Sequence, residues 1–224
     1  MAGLTSSTIG RKYAMALSAM FLLIFLLMHL AINFLSVFGP GWFNEASHFM
    51  GKNPFIQFLM QPILLFAVIF HFVMGFVLEL KNNKARPVKY ASNSANANST
   101  WMSRNMIISG AVILAFLALH LTQFWLPTIA TNYPALGMSS LEIAGTEYDH
   151  LTNKFSSPLT VGLYVISFVL LGLHLAHGFQ SSFQSVGARH PKYTPVIKAF
   201  GNWYSILIPA GFIFIAVFHF VTQL

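Results

Sequence analysis

The sequence predicts an all-α membrane protein with five transmembrane helices in a single domain covering 1–224. Composition is the first reason. Hydrophobic residues make up 56% of the chain and charged residues only 8%, where an ordinary soluble domain carries roughly a quarter charged residues. Spacing is the second. The few charges cluster between apolar runs at about 13–38, 55–80, 105–127, 158–186 and 199–223, each long enough for the ~20 residues that cross hydrocarbon as a helix. The third is that nothing alternates with period two, and in lipid only helices and closed barrels satisfy their own backbone.

The first run follows Arg11 and Lys12 and extends from Tyr13 to Phe38. A cleaved signal has an apolar region of about 7–15 residues, so this run reads as a retained span. Prolines punctuate the rest. Pro40, Pro54, Pro127, Pro134, Pro158, Pro191 and Pro195 fall at or near span ends, while Pro62 and Pro209 fall inside spans, where kinks are expected. The loop after the second span contains the Ala, Ser and Asn run 91–100, which reads as a flexible linker. The loop 128–157 is longer and carries Tyr133-Pro134, Glu142, Glu147, Asp149 and Asn153. It is long enough to fold over the end of the bundle. Trp42, Trp101, Trp125 and Trp203 lie near span ends, as an interfacial aromatic belt requires.

Charge sets the orientation. Arg11, Lys12, Lys81, Lys84, Arg86, Lys89, Arg104, Arg189, Lys192 and Lys198 put ten of the twelve Lys and Arg on one side. Lys52 and Lys154 fall on the other, with four of the five acids (Glu45, Glu142, Glu147 and Asp149). The positive-inside rule places the N-terminus and the basic loops in the cytoplasm. A formal charge of +7 is therefore an orientation signal and not a nucleic-acid footprint, because there is no soluble domain to present a basic face. The chain has no cysteine. That removes disulfides, thiolate-ligated iron–sulfur clusters and the thioether attachment of c-type haem. A metal centre here would rest on His, Met or oxygen ligands.

Six of the nine histidines lie in the apolar runs: His29, His71, His120, His174, His177 and His219. An interhelical hydrogen bond explains one such histidine. Six among five helices ask for more, since polar groups at membrane depth are costly and mark function. Depth sorts them. His29 lies 16 residues from Tyr13 and His120 lies 16 from Arg104, which puts both roughly 24 Å above the cytoplasmic end at 1.5 Å per residue. On the descending helices His71 lies about 15 Å up, His174 about 18 Å and His177 about 14 Å. An outer pair, His29 with His120, thus stands above an inner pair, His71 with His174 or His177. Two imidazole pairs at two levels on four helices are what two stacked bis-histidine haems require. The first four spans would form the bundle around them. Iron held by two imidazoles has no open position, which favours electron transfer.

The stretch Leu170–Phe179 carries both fourth-span histidines with Gly172 and Gly178. Gly75 follows His71 at i+4 and Gly178 follows His174 at i+4, so each imidazole has a missing side chain on its own face one turn away. A flat macrocycle would press there, and this selects His174 over His177. Asn33 and Phe124 take that offset in the outer pair. Met28, Met60 and Met74 are read as packing, and His219 as a hydrogen-bonding or quinone-contacting group near the outer surface.

The stretches Lys12-Tyr-Ala-Met-Ala-Leu-Ser18, His29-Leu-Ala-Ile-Asn33, Phe49-Met-Gly-Lys-Asn-Pro54, His71-Phe-Val-Met-Gly75 and His174-Leu-Ala-His-Gly178-Phe-Gln-Ser-Ser-Phe-Gln-Ser-Val-Gly187 together resemble the five-helix dihaem cytochrome b subunits of bacterial succinate:quinone oxidoreductases. The resemblance covers essentially the whole chain. It implies a multi-pass anchor in the bacterial cytoplasmic membrane for an iron–sulfur subunit and a flavoprotein subunit carrying FAD, with room for a higher oligomer of the complex. Electrons would pass from succinate through FAD, iron–sulfur clusters and two b haems to a quinone, commonly menaquinone. The resemblance assigns His71 and His174 to the proximal haem iron and His29 and His120 to the distal haem iron. It leaves His177 beside the ligand, and it gives this subunit no catalytic residue for the dicarboxylate.

Besides a structural anchor with incidental histidines, two other readings compete. One is the cytochrome b anchor of a hydrogenase or a formate dehydrogenase. The other is a transporter using buried histidines for protons or metal, which should show internal repeats with broken helices; only the His-x-x-x-Gly echo is found. No carboxylate lies deep in a span, Glu79 being at a helix end, so no acidic proton relay is expected across the bilayer.

Overall fold

Residues 7–84 and 106–224 are described by the computed structural model. Arg86, Lys89, the 91–100 run, Trp101, Arg104 and the expected first residue of the third span lie outside the described residues. Among the described residues five helices are long and apolar enough to span a membrane, at Ile9–Phe38, Ile56–Asn82, Met106–Asn132, Pro158–Ser185 and Thr194–Val221. The first, second and fourth match the expected spans to within about a turn, while the third ends later and the fifth begins earlier than expected. The first is α1 (Thr8–Phe34) prolonged by a 3-10 turn at Leu35–Phe38, and a short helix α2 (Pro40–Lys52) follows it. The second is a π-helical turn, Ile56–Met60, leading into α3 (Gln61–Lys84). The third joins α4 (Met106–His120), a π turn at Leu121–Trp125 and α5 (Leu126–Asn132). The short α6 (Glu147–Phe155) precedes the fourth and fifth spans, α7 (Pro158–Ser185) and α8 (Thr194–Val221).

The breaks have local causes. The first span stops at Gly39, whose φ of +124° suits only glycine, and Pro40 opens α2 at its first position. Asn53, extended ahead of Pro54, ends α2 and caps the second span by accepting from the amides of Phe55 and Ile56. Pro127 does not end the third span, as the sequence suggested, but sits in the first turn of α5, and the helix runs on to Asn132. Proline removes the N–H that would bond the carbonyl four residues back. The π turns just before Pro62 and Pro127 carry the helix through that defect. The carbonyl left free by Pro127 is that of Gln123, and His150 Nε2 of α6 donates to it at 2.7 Å.

The packing is a ring of four helices with a fifth outside. The first span packs against the second and the fourth, and the third against the fourth and, less closely, the second. The first and third are therefore diagonal, as are the second and fourth. The fifth lies on the edge between the fourth and the first, and its contact with the fourth is the most extensive in the described structure. Pro209 frees the carbonyl of Ser205 by the same logic. A side chain at Gly172 would come within 3.0 Å of that carbonyl and 3.4 Å of the Pro209 ring, so only glycine lets the two backbones approach this closely. The buried cluster of Phe43, Leu151, Phe155, Tyr164, Phe168, Tyr204 and Phe212 fills this side of the molecule. Tyr204 Oη donates to the Leu23 carbonyl and ties the fifth span to the first.

The 128–157 segment folds over the end of the bundle that carries α2. Ile143 N donates to Thr131 Oγ1 at 2.7 Å, Tyr148 N to Asn44 Oδ1 at 2.9 Å, and Thr128 Oγ1 to Glu147 Oε2 at 3.2 Å. Thr146 and Asp149 cap each other's backbone amides at the start of α6.

Candidate functional site

Diagonal helices present their faces to each other across the bundle axis, and that is where the histidines meet. His29 of the first span faces His120 of the third, with ring centroids 5.7 Å apart and planes at 87°. His71 of the second faces His174 of the fourth at 6.5 Å and 70°. A metal bonded by two imidazole nitrogens at roughly 2 Å each, on opposite sides, would separate the centroids by about 6 Å. Both separations fall at that distance. His177, one turn beyond His174, is half-buried, and the ring that faces His71 is that of His174.

The remaining ring nitrogens decide what these imidazoles can do. Ser18 Oγ lies 3.2 Å from His71 Nδ1, and Ser109 Oγ lies 3.1 Å from His174 Nδ1. Each serine gives its only hydrogen to a carbonyl three residues back, Met15 O at 2.8 Å and Met106 O at 3.0 Å. A hydroxyl has one hydrogen and two lone pairs, so each serine oxygen accepts from Nδ1–H. That tautomer leaves Nε2 as a bare lone pair, the form in which histidine binds a metal. Tyr164 repeats the device for His120. Its hydroxyl donates to Gln123 Oε1 at 2.9 Å and faces His120 Nδ1 at 3.4 Å. His29 differs, for Nδ1 meets the Asn33 amide nitrogen at 3.4 Å while that same nitrogen donates to the His29 carbonyl at 2.8 Å. Phe25, stacked at 5.3 Å, and Phe212 at 5.7 Å flank the His29 ring instead.

The glycines divide into two kinds. A side chain at Gly201 would strike the Phe179 ring at 2.6 Å, and one at Gly211 would meet Leu30 at 2.9 Å. Helix packing requires those. At Gly75 an added carbon meets only the Met15 methyl at 3.6 Å, and at Gly178 only the Met106 methyl at 3.9 Å. Protein packing therefore does not demand the two glycines beside the His71–His174 pair, and a flat ligand against the helices would give them a reason. Among the described residues no group of three or more His, Cys, Asp or Glu could hold a metal ion. The imidazoles come in twos, a donor set that suits a metal whose other ligands are supplied from elsewhere.

Over 159 residues, 70% of this chain and 69% of the relative, the sequence is 28% identical to the succinate dehydrogenase cytochrome b558 subunit of Bacillus subtilis (strain 168). The likeness is to a succinate dehydrogenase cytochrome b subunit. No family model matches the chain, and no solved structure matches it. With five apolar helices and this cytochrome b relative, the chain is a multi-pass membrane protein.

The histidines stand out in the sequence, and the groups bonded to them do not. Ser18, Ser109, Tyr164, Gln123 and Asn33 were missed as partners, because Ser, Tyr and Asn are ordinary at helix interfaces. One signal could have found the serines. Met15, Ser18 and His29 of the first span have the same spacing as Met106, Ser109 and His120 of the third. His219 is 1% exposed and donates from Nε2 to Ser36 Oγ at 2.8 Å, with Tyr148 edge-on at 5.7 Å. Ser36 spends its own hydrogen on the Asn33 carbonyl at 2.7 Å. Of the two roles considered for His219, the structure displays the hydrogen bond.

Proposed function

We propose that the chain is the membrane-anchor, dihaem cytochrome b subunit of a bacterial succinate dehydrogenase (succinate:quinone oxidoreductase), passing electrons between an iron–sulfur subunit and a membrane quinone, menaquinone. In this reading His71 and His174 hold the proximal haem b, and His29 and His120 hold the distal one. A haem b held by two of these imidazoles would supply one-electron redox chemistry. The chain's own contribution is positional. Ser18, Ser109 and Tyr164 hold three imidazoles in one tautomer, and the diagonal helices bring each pair in from opposite sides. The dicarboxylate chemistry, FAD and the iron–sulfur clusters belong to partner subunits on the cytoplasmic side, where the charge asymmetry places the basic loops. The bilayer is then the bacterial cytoplasmic membrane.

The observation that carries this reading is the pair of imidazole pairs, each near the separation for one shared metal, with the far nitrogens engaged by the protein. The named relative supports it, and it favours the succinate dehydrogenase anchor over the hydrogenase and formate dehydrogenase alternatives. A reduced-minus-oxidised spectrum with haem quantification tests it in haem-supplied membranes. Two b haems per chain, co-purifying with a flavoprotein and an iron–sulfur subunit, are expected. Absence of a b-type band would remove the reading, and co-purification with hydrogenase or formate dehydrogenase subunits would replace it.

A further inference from the structure

We infer that the four-helix ring is an internal two-fold repeat whose paired serines, Ser18 and Ser109, are matched positioning residues for the two imidazoles of the His71–His174 site. The inference rests on the haem reading above. The repeat is visible at two levels. In sequence, Met-x-x-Ser followed by ten residues and His occurs at Met15, Ser18, His29 and again at Met106, Ser109, His120; His-x-x-x-Gly occurs at His71, Gly75 and at His174, Gly178. In space the two sets make the same contacts. Ser18 holds His71 at 3.2 Å and Ser109 holds His174 at 3.1 Å. The Met15 methyl stands at Gly75 and the Met106 methyl at Gly178. Both serines close on the carbonyl of their own methionine. A half-turn about the bundle axis would exchange the first span with the third and the second with the fourth, as the ring of helix neighbours allows. This is the parallel kind of repeat, with its axis along the membrane normal.

The spacing has a mechanical meaning. Eleven residues are close to three turns of helix, so Ser and His share one face and stand roughly 16 Å apart along it. One face of the first span, and its counterpart on the third, thus orients a ligand at one level and supplies a ligand at the other. The symmetry stops at the second level. Asn33 sits beside His29, while Tyr164 of the fourth span faces His120. The His71–His174 site is the symmetric one, and its two serines carry equal roles.

An acceptor on Nδ1–H makes the imidazole a stronger donor through Nε2 and favours oxidised iron. Replacing either serine by alanine should therefore favour the reduced form of one haem. One hydrogen bond changes the equilibrium by about three- to tenfold, roughly 30–60 mV for a one-electron centre. The test is a redox titration of the full chain in membranes, followed optically, for Ser18→Ala, Ser109→Ala, Ser18→Thr and Ser109→Thr. Both alanine variants should keep two haems and raise the potential of the same haem by similar amounts. Threonine, which keeps a hydroxyl able to bond the preceding turn, should return it toward the parent value. The inference is overturned if the alanine variants leave both potentials unchanged, move different haems, or are not rescued by threonine. If the parent membranes hold no b haem, the functional reading itself fails, and the titration registers that as no signal at all.

Discussion

An imidazole in hydrocarbon stays costly until its polar nitrogens have partners. At His71, His174 and His120 a hydroxyl from a neighbouring helix meets Nδ1. That partner does more than remove a desolvation cost, because it selects which nitrogen is left bare. Tyr164 is the most connected of the three hydroxyls. It is 1% exposed, stands edge-on to Phe116 at 4.9 Å and Phe155 at 5.3 Å, and joins Gln123 to His120. Tyr164→Phe keeps the ring and removes the hydroxyl, so the Gln123 amide oxygen loses its donor inside the protein. The expected loss is about 1–3 kcal/mol of stability, read as a lower unfolding temperature in detergent with the ring packing intact. An unchanged melting temperature would show that Gln123 finds another partner. At this scale the sequence revealed the histidines, since a histidine at membrane depth is rare. It hid their partners, since a serine or tyrosine there is common.

Among the elements, proline does the least obvious work. The sequence placed Pro127 at a span end, yet the helix continues through a π turn and offers the Gln123 carbonyl to His150. One missing N–H on the third span thus becomes the docking point of α6. Neither α2 nor α6 was anticipated, because both are short and polar beside the spans, and hydropathy read over twenty residues passes over them. Their caps were present as Gly39-Pro40, Asn53-Pro54 and Thr146-x-x-Asp149. The docking of α6 should respond to pH through His150. Burial first, and Lys154 nearby, hold His150 below the usual histidine range, against the raising effect of its bond to Gln123. A base held down in the docked state contributes stability above its free pKa and loses it as pH falls through about 6.5 and below. Asp149, held low mainly by its bonds to the backbone and side chain of Thr146, acts in the same direction at lower pH. Glu147 opposes both, because burial holds its carboxyl up despite Thr128. In a Glu147→Gln variant, amide exchange over 147–155 should therefore accelerate between about pH 7.5 and 5.5, after correction for the intrinsic rate. Protection that holds steady or rises on acidification would contradict this account of the docking.

At the scale of the molecule, two kinds of packing coexist. The fourth and fifth spans meet closely, through Gly172 against Ser205 and Pro209 and through Phe168 stacked on Phe212 at 5.2 Å. In α4 no residue is buried, although it carries His120 and Ser109. The five spans followed from composition and spacing alone. The bundle of the first four spans was expected too, but not where the fifth would lie, because its place depends on which carbonyls the prolines free and which glycines admit a neighbouring backbone. The sorting of the histidines by height came from helical rise, which converts sequence offset into height and left His174 and His177 open; the ring contacts join His29 to His120 and His71 to His174. Of the repeat across the halves, the His-x-x-x-Gly echo was read in the sequence and the Met-x-x-Ser spacing to His was not. Taken alone, a repeat would favour the transporter reading, but the spans are continuous through their π turns, and the four ring histidines face one another in pairs.

If each imidazole pair holds one haem, counting haems and recording their spectra in membranes carrying His29→Ala, His71→Ala, His120→Ala or His174→Ala will show it. His71→Ala and His174→Ala should lose one and the same haem, and His29→Ala and His120→Ala the other. Loss of a single shared haem in His29→Ala and His71→Ala, or retention of both haems in any of the four, would contradict it.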